Sequence, residues 1–405
     1  MKATTQAKLS VMMLLEYFIW GSWYVTMGTY MAANLHSNGE QIGLAFGALA
    51  VATMVSPFIV GMIADRFFAA QKIMGVFHLV GAAIMLSVTL IKDNTLFYWT
   101  VLLYSLLYMP TIALSNSVAF FQMKDPGRQF PWVRVFGTIG WIVAGLTIGF
   151  LKVEATTSIF YIAAGTSLLL GLFSFALPNT PPKDRAANTS AGKALGTEAF
   201  VLFKNKAYLI FFIAAILVCI PLSFYYAFAN PFLTEAGVDK PAAKMILGQA
   251  SEALFILAIP FLFNSIGVKK MLLLGMTAWI VRYLLFAYGN TGANEWMLYG
   301  GIILHGVCYD FFFVTGYMYT EKKAGEKIKN AAQGLFTFAT YGLGMFIGTY
   351  VSGVVVNKYA TVNEQTNVTT HNWTNIWYVP AGIAAIVLIY FILFFREKKE
   401  IPAVS

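Results

Sequence analysis

Long apolar stretches alternate with short polar connections from one end of the chain to the other. Uninterrupted apolar runs of about 18 residues or more fall at roughly 9–33, 41–64, 72–91, 95–121, 131–151, 157–177, 207–234, 245–266, 269–289, 294–320, 329–356 and 373–395. Each of these twelve runs predicts a helix able to cross the ~30 Å hydrocarbon core of a bilayer. Their continuous Leu, Ile, Phe and Gly content excludes the roughly ten-residue alternating strands of a membrane barrel. The first run is too long for a removable signal peptide and lacks its small-residue cleavage site, so it reads as a retained span.

The longest polar connection, 178–206, opens on Pro178, Pro181 and Pro182 and divides the spans six and six. The expected architecture is therefore an all-α polytopic membrane protein of twelve transmembrane helices in two six-helix pseudo-repeats. Residues 1–177 form an N-terminal bundle, 178–206 a linker, and 207–405 a C-terminal bundle with a short tail. A faint internal echo supports the division: Gly61, Asp65, Arg66 and Lys72 between spans two and three are answered by Asn264, Gly267, Lys269 and Lys270 between spans eight and nine. Secondary transporters built in this way hold substrate between the halves near the bilayer midplane.

Composition narrows the class further. Of 405 residues 59% are apolar and only 11% charged, against roughly a quarter charged in soluble domains, so lipid must be the outer solvent. Cys219 and Cys308 both sit in apolar runs, which leaves neither a disulfide framework nor a zinc cluster to build. The net charge of +9 matters for its distribution. Of 27 Lys and Arg, only Lys92, Lys152, Lys240, Lys244 and Lys358 fall on the side away from the termini; Arg134 and Arg282 lie within spans, and the others gather on the terminal side. That bias predicts cytoplasmic termini. No compact basic domain exists to bind nucleic acid.

An ionisable side chain at the bilayer centre costs at least ~2.5–3.5 kcal/mol, so each one needs a partner, a cavity or a role. The inventory is Glu16, Glu252, Asp310, Arg134, Arg282, His78 and His305. Glu252 follows Gln249 by one turn, and the pair on one helix face can grip a polyhydroxylated ligand. Arg134, Thr138 and Trp141 line up at i, i+4 and i+7, giving a cation, a hydroxyl and an indole together. Glu16 shares its predicted face with Trp20 and Trp23. Asp310 has His305 and Tyr309 close by, and an internal pair with Arg282 is its simplest explanation. With Tyr226 added, these rings beside Gln, Glu and Arg suit a planar heterocycle bearing a sugar. No paired metal ligands, Ser/His/Asp arrangement or glycine-rich phosphate loop supports an intramembrane enzyme. A polytopic sensor, or a facilitator or exporter of another amphipathic solute, are the remaining alternatives to coupled uptake.

The segments Trp20–Trp23, Gly28–Met31, Tyr108–Thr111, Arg134–Gly140, Leu202–Lys206, Gln249–Phe255, Trp279–Arg282 and Ala332–Gly334 together resemble the bacterial nucleoside:proton symporters of the major facilitator superfamily. Gly61–Lys72 is similar to that superfamily's loop signature. The resemblance covers essentially the whole chain. It implies proton-driven nucleoside uptake across a bacterial inner membrane by alternating access. No metal or cofactor is expected, and the sequence leaves the oligomeric state open, a monomer being the expectation. Arg134, Thr138, Gln249 and Glu252 match the family's nucleoside site, and Asp310 matches an acidic position. Departures gather where the base would be read: Ser223 and Tyr226 stand where amides occur, Trp141 and Tyr309 where phenylalanines occur, His305 where a tyrosine occurs and Glu16 where a glutamine occurs. On this reading Gln249, Glu252 and Arg134 meet the sugar, and Trp141, Tyr309 and Trp23 stack on the base. Ser223, Tyr226 and His305 complete the contacts. Glu252 carries the coupling proton, with Glu16 and Asp310 as further carriers.

Overall fold

A computed structural model describes residues 2–60, 68–182, 197–363, 365 and 368–396. Gly61, Asp65 and Arg66 of the loop signature and residues 183–196 of the linker lie outside the described residues. The apolar runs become helices bounded by the polar residues between them. The first run breaks at Tyr24–Thr26 into α1 (Ala3–Trp23) and α2 (Met27–Asn34). Next come α3 (Gly39–Ile59), α4 (Ala70–Val88), α5 (Asn94–Phe121), α6 (Pro126–Leu151) and α7 (Ser158–Ser174). The second half holds α8 (Lys206–Glu235), α9 (Pro241–Tyr288), α10 (Glu295–Ile303), α11 (His305–Tyr309), α12 (Thr315–Thr337), α13 (Met345–Lys358) and α14 (Trp373–Phe394).

Side-chain caps start many of these helices. Asn38 and Gln41 form a reciprocal capping box at α3, while Asp93, Asp125, Asn205 and Asn372 accept from first-turn amides of α5, α6, α8 and α14. Two glycines divide longer helical stretches: Gly267, at φ +78°, splits α9 into two spans, and Gly325, at φ +65°, breaks α12. Only glycine adopts such angles without strain. Among the described residues ten helices are long and apolar enough to span; with α1 and the shorter α7 they are consistent with the twelve crossings expected. Three features had no counterpart in the hydropathy pattern. Thr197–Lys204 is a 3-10 helix inside the linker, π-helical turns occupy Asp310–Val314 and Phe338–Gly344, and a hairpin of β1 (Ala360–Asn363) and β2 (Val368–His371) joins the last two spans. The end of α8 anchors that hairpin, because Glu235 accepts from the His371 backbone N–H at 2.8 Å.

The two halves touch at the end away from the start of α1. There α3 meets α13 through glycines: a methyl on Gly43 would lie 2.3 Å from the Thr349 carbonyl, and one on Gly39 2.6 Å from the Gly353 carbonyl. Small residues let backbones approach in this way where lipid removes the hydrophobic drive between helices. Alongside, α6 meets the first part of α9 at Gly149 and Ala243. Polar bonds complete the seal. Thr29 donates to Asn230 Oδ1 at 2.5 Å, and Asn230 donates to Glu154 at 2.9 Å. Glu154, in the turn between α6 and α7, also accepts from the Ala242 amide at 3.1 Å and so caps the N-terminus of α9. Lys152 and Asp239 pair at 3.0 Å in solvent.

Candidate functional site

Between the halves lies a cavity of about 610 Å³, within the range of small-molecule sites. Its lining runs from the level of Trp141 and Gln249 through Ser56, Asn116 and Thr337, toward the end at which α1 starts. With the opposite end sealed, access is from the terminal side.

Eight of the residues singled out from sequence line this cavity: Arg134, Thr138, Trp141 and Trp20 from the N-terminal half, and Tyr226, Gln249, Glu252 and Tyr309 from the C-terminal half. Helix α6 supplies the first three because their spacing keeps them on one face. Gly137 is what lets Arg134 fold back. A methyl there would sit 2.5 Å from the guanidinium and 2.8 Å from Tyr17, whose ring the guanidinium covers at 4.1 Å. Arg134 is thus held by an aromatic face. Among the described lining residues it is the basic group and Glu252 the acidic one, and they stand on opposite halves. The Glu252 side chain is about a third exposed (32%) into this space. The indole N–H of Trp20 and the amide oxygen of Asn116 are buried in the cavity wall and have no protein hydrogen-bond partner.

Other expected site residues lie elsewhere. Trp23 is fully buried and packs edge-on against Tyr104 at 5.6 Å within the N-terminal bundle. Ser223 is turned toward α13, donating to the Cys219 carbonyl at 2.8 Å. His305 is buried behind Tyr226 and Tyr309. Glu16 also lies behind the wall: its carboxylate meets His78 Nε2 at 3.0 Å and accepts from Thr111 at 2.6 Å. The reason is rotational. At ~100° per residue, Tyr17, Trp20 and Tyr24 form the cavity face of α1, and Glu16 and Trp23 fall on its inner side. Asp310 is buried and does not line the cavity; among the described residues no ion pair joins it to Arg282, which donates instead to His305 Nδ1 at 3.0 Å. The residues missed, chiefly Tyr17, Tyr24 and Tyr341, add further rings, and Tyr341 bonds Tyr309 through their hydroxyls. Only the periodicity of Tyr17, Trp20 and Tyr24 signalled any of these in advance.

A cavity between two helical bundles, lined by aromatic rings with a few polar and charged groups among them and sealed at one end by interdigitated glycines, defines a secondary transporter of the major facilitator fold. A family model described as nucleoside H+ symporter matches residues 2–400, and the chain belongs to that family. It is 43% identical to the putative nucleoside transporter YegT of Escherichia coli, over 99% of this chain and 96% of that one. It is 35% identical to the xanthosine permease of the same bacterium, covering 97% of this chain and 96% of the permease. The crystal structure of the nucleoside transporter NupG superposes with a TM-score of 0.88 at 32% identity, covering 97% of this chain and all of that one. The family is one of transporters, which removes the intramembrane enzyme from consideration.

Proposed function

We propose that this protein takes up nucleosides together with protons by alternating access, and that the inter-half cavity is the binding site. The observation that carries the reading is the pairing, across one cavity, of Arg134, Thr138 and Trp141 on one half with Gln249, Glu252 and Tyr309 on the other. A ligand gripped by both sets ties the halves together, so binding is felt by the rocking motion. Gln249 and Glu252 suit sugar hydroxyls, with Arg134 adding donors. The indole of Trp141 and the ring of Tyr309 offer the base two faces, a contact worth ~1–3 kcal/mol per base. Tyr226 completes the pocket.

Glu252 is the proposed proton carrier, since it is the acid that faces the cavity. Protonation from the outer side removes a buried charge and lets the halves close over sugar and proton; lower proton activity inside empties the site. Residues 1–177 and 207–405 are read as the two moving bodies, working within one chain. The bias of basic residues supports cytoplasmic termini in a bacterial inner membrane, in which case the cavity opens inward here. The test is uptake of radiolabelled nucleosides by proteoliposomes under an imposed pH gradient. Glu252→Gln is expected to abolish gradient-driven accumulation while leaving nucleoside exchange, and undiminished accumulation would remove Glu252 as carrier.

A further inference from the structure

The C-terminal half holds an arginine with no obvious reason to be there. Arg282 is fully buried, and among the described residues no carboxylate pairs with it. A buried guanidinium without an acid is costly enough to call for a purpose. Its surroundings are aromatic: the guanidinium lies 3.4 Å from the centroid of Tyr225 and 5.4 Å from that of Trp279. Its NH1 is 3.0 Å from Nδ1 of the equally buried His305. A guanidinium N–H can only donate, so Nδ1 must present its lone pair. The imidazole is then neutral with its one proton on Nε2. That nitrogen has no hydrogen-bond partner and lies 3.8 Å from Glu252 Oε2, just beyond hydrogen-bonding reach.

The ring is held in place on every side. Tyr225 stacks on it at 4.9 Å, Tyr226 meets it edge-on at 6.2 Å and Tyr309 lies at 5.7 Å. Its backbone is pinned to α9, because Ser251 donates to the Ile303 carbonyl and accepts from the Gly306 amide. Among the described residues the titratable or charged groups around the imidazole include these three tyrosines, Arg282 and Glu252, with Cys308 beside Arg282.

We propose that Arg282 is a positioning residue for Glu252, acting through His305. It fixes the imidazole as the Nε2–H tautomer, so that a donor always faces the carboxylate and closes on it when the α9 segment shifts by under an ångström. This rests on the reading of Glu252 as the proton and sugar site, but the tautomer can be observed independently of it.

The first measurement is the nitrogen spectrum of the full chain, labelled with 15N-histidine in lipid nanodiscs near neutral pH, with His305 assigned by its loss in His305→Tyr. The proposal expects a protonated Nε2 and a bare Nδ1. A proton on Nδ1, or on both nitrogens, overturns it whatever the variants do. The second is gradient-driven nucleoside uptake. Arg282→Met is expected to lower it about tenfold or more, the factor for ~1.4 kcal/mol, in keeping with loss of one hydrogen bond to a charged group. Arg282→Lys, which can still donate to Nδ1, restores most of it. In the His305→Tyr background, where a hydroxyl donates without tautomer choice, Arg282→Met should cost little more. An equal loss in both backgrounds makes Arg282 merely structural and refutes the relay. If Glu252→Gln leaves accumulation intact while the spectrum shows the Nε2–H tautomer, the functional reading fails and the geometry stands. Should Arg282→Met not yield monodisperse protein, the wild-type spectrum and Arg282→Lys still decide.

Discussion

The seal between α3 and α13 offers a direct handle on alternation through Gly43→Ala. The added methyl would sit 2.3 Å from the Thr349 carbonyl and 3.0 Å from Gly353 Cα, where ordinary contact begins near 3.4 Å. Both obstacles are backbone, so no rotamer change relieves them, and the two helices must part by about an ångström at this crossing. Overpacking of this kind costs ~1–3 kcal/mol. That cost falls only on the conformation in which this end is closed, because an open end separates the two helices. The closed form should therefore lose about fivefold to 150-fold in population relative to the open one. Paired spin labels on the ends of α3 and α13, read by pulsed electron resonance in nanodiscs, check this: the variant should gain a longer-distance population and its uptake rate should fall. Gly334→Ala is the control, since a methyl there meets nothing within 4 Å. Unchanged distances with Gly43→Ala would refute the view that glycine contact closes this end.

Four further outcomes are expected. Glu16→Ala should lower thermal stability by ~1–3 kcal/mol, since it leaves buried His78 and Thr111 without the carboxylate they bond. Lys152→Ala should leave the melting temperature almost unchanged, because its pair with Asp239 is about two-thirds exposed on both sides; melting of the two variants in detergent compares them. Burial lifts the Glu154 carboxyl above its ordinary range, against the pull of its Asn230 and Ala242 donors and with a further push from Asp239. The sealed form thus binds a proton more readily than an open form in which Glu154 meets water. Acid should favour the seal, fully below the ordinary value of 4.5 and no longer once pH has risen through the raised one. Spin-label distances followed against pH should show this in the wild type, and Glu154→Gln should flatten the response. Finally, Trp141→Ala should weaken nucleoside binding by ~1–3 kcal/mol in equilibrium dialysis without abolishing proteoliposome assembly.

Much of this architecture was legible because lipid permits few solutions. A run such as 207–234 can only be a spanning helix, and Arg134, Thr138 and Trp141 share a face wherever α6 is placed. The same holds for Gln249 and Glu252. What could not be read was rotation and partnership. Tyr17 and Glu16 are neighbours in sequence, yet one faces the cavity and the other His78, a choice fixed by α4 and α5, far along the chain. Ser223 and Tyr226 lie nearly one turn apart and diverge because Gly348 leaves room beside Ser223. Arg282 was expected to pair with Asp310, and nothing in the spacing pointed to His305 as the group it bonds. The hairpin at Ala360–His371 is too short and polar to register in a hydropathy pattern tuned to spans.

Glycine contacts and buried amide bonds dominate the closure at Gly39, Gly43 and Asn230, and such forces are indifferent to dissolved ions. Lys152 with Asp239, a well-exposed ion pair there, is weak. Turnover should consequently hold steady from dilute to concentrated saline, and respond far more steeply to warming or to hydrostatic compression, which act on contact and volume.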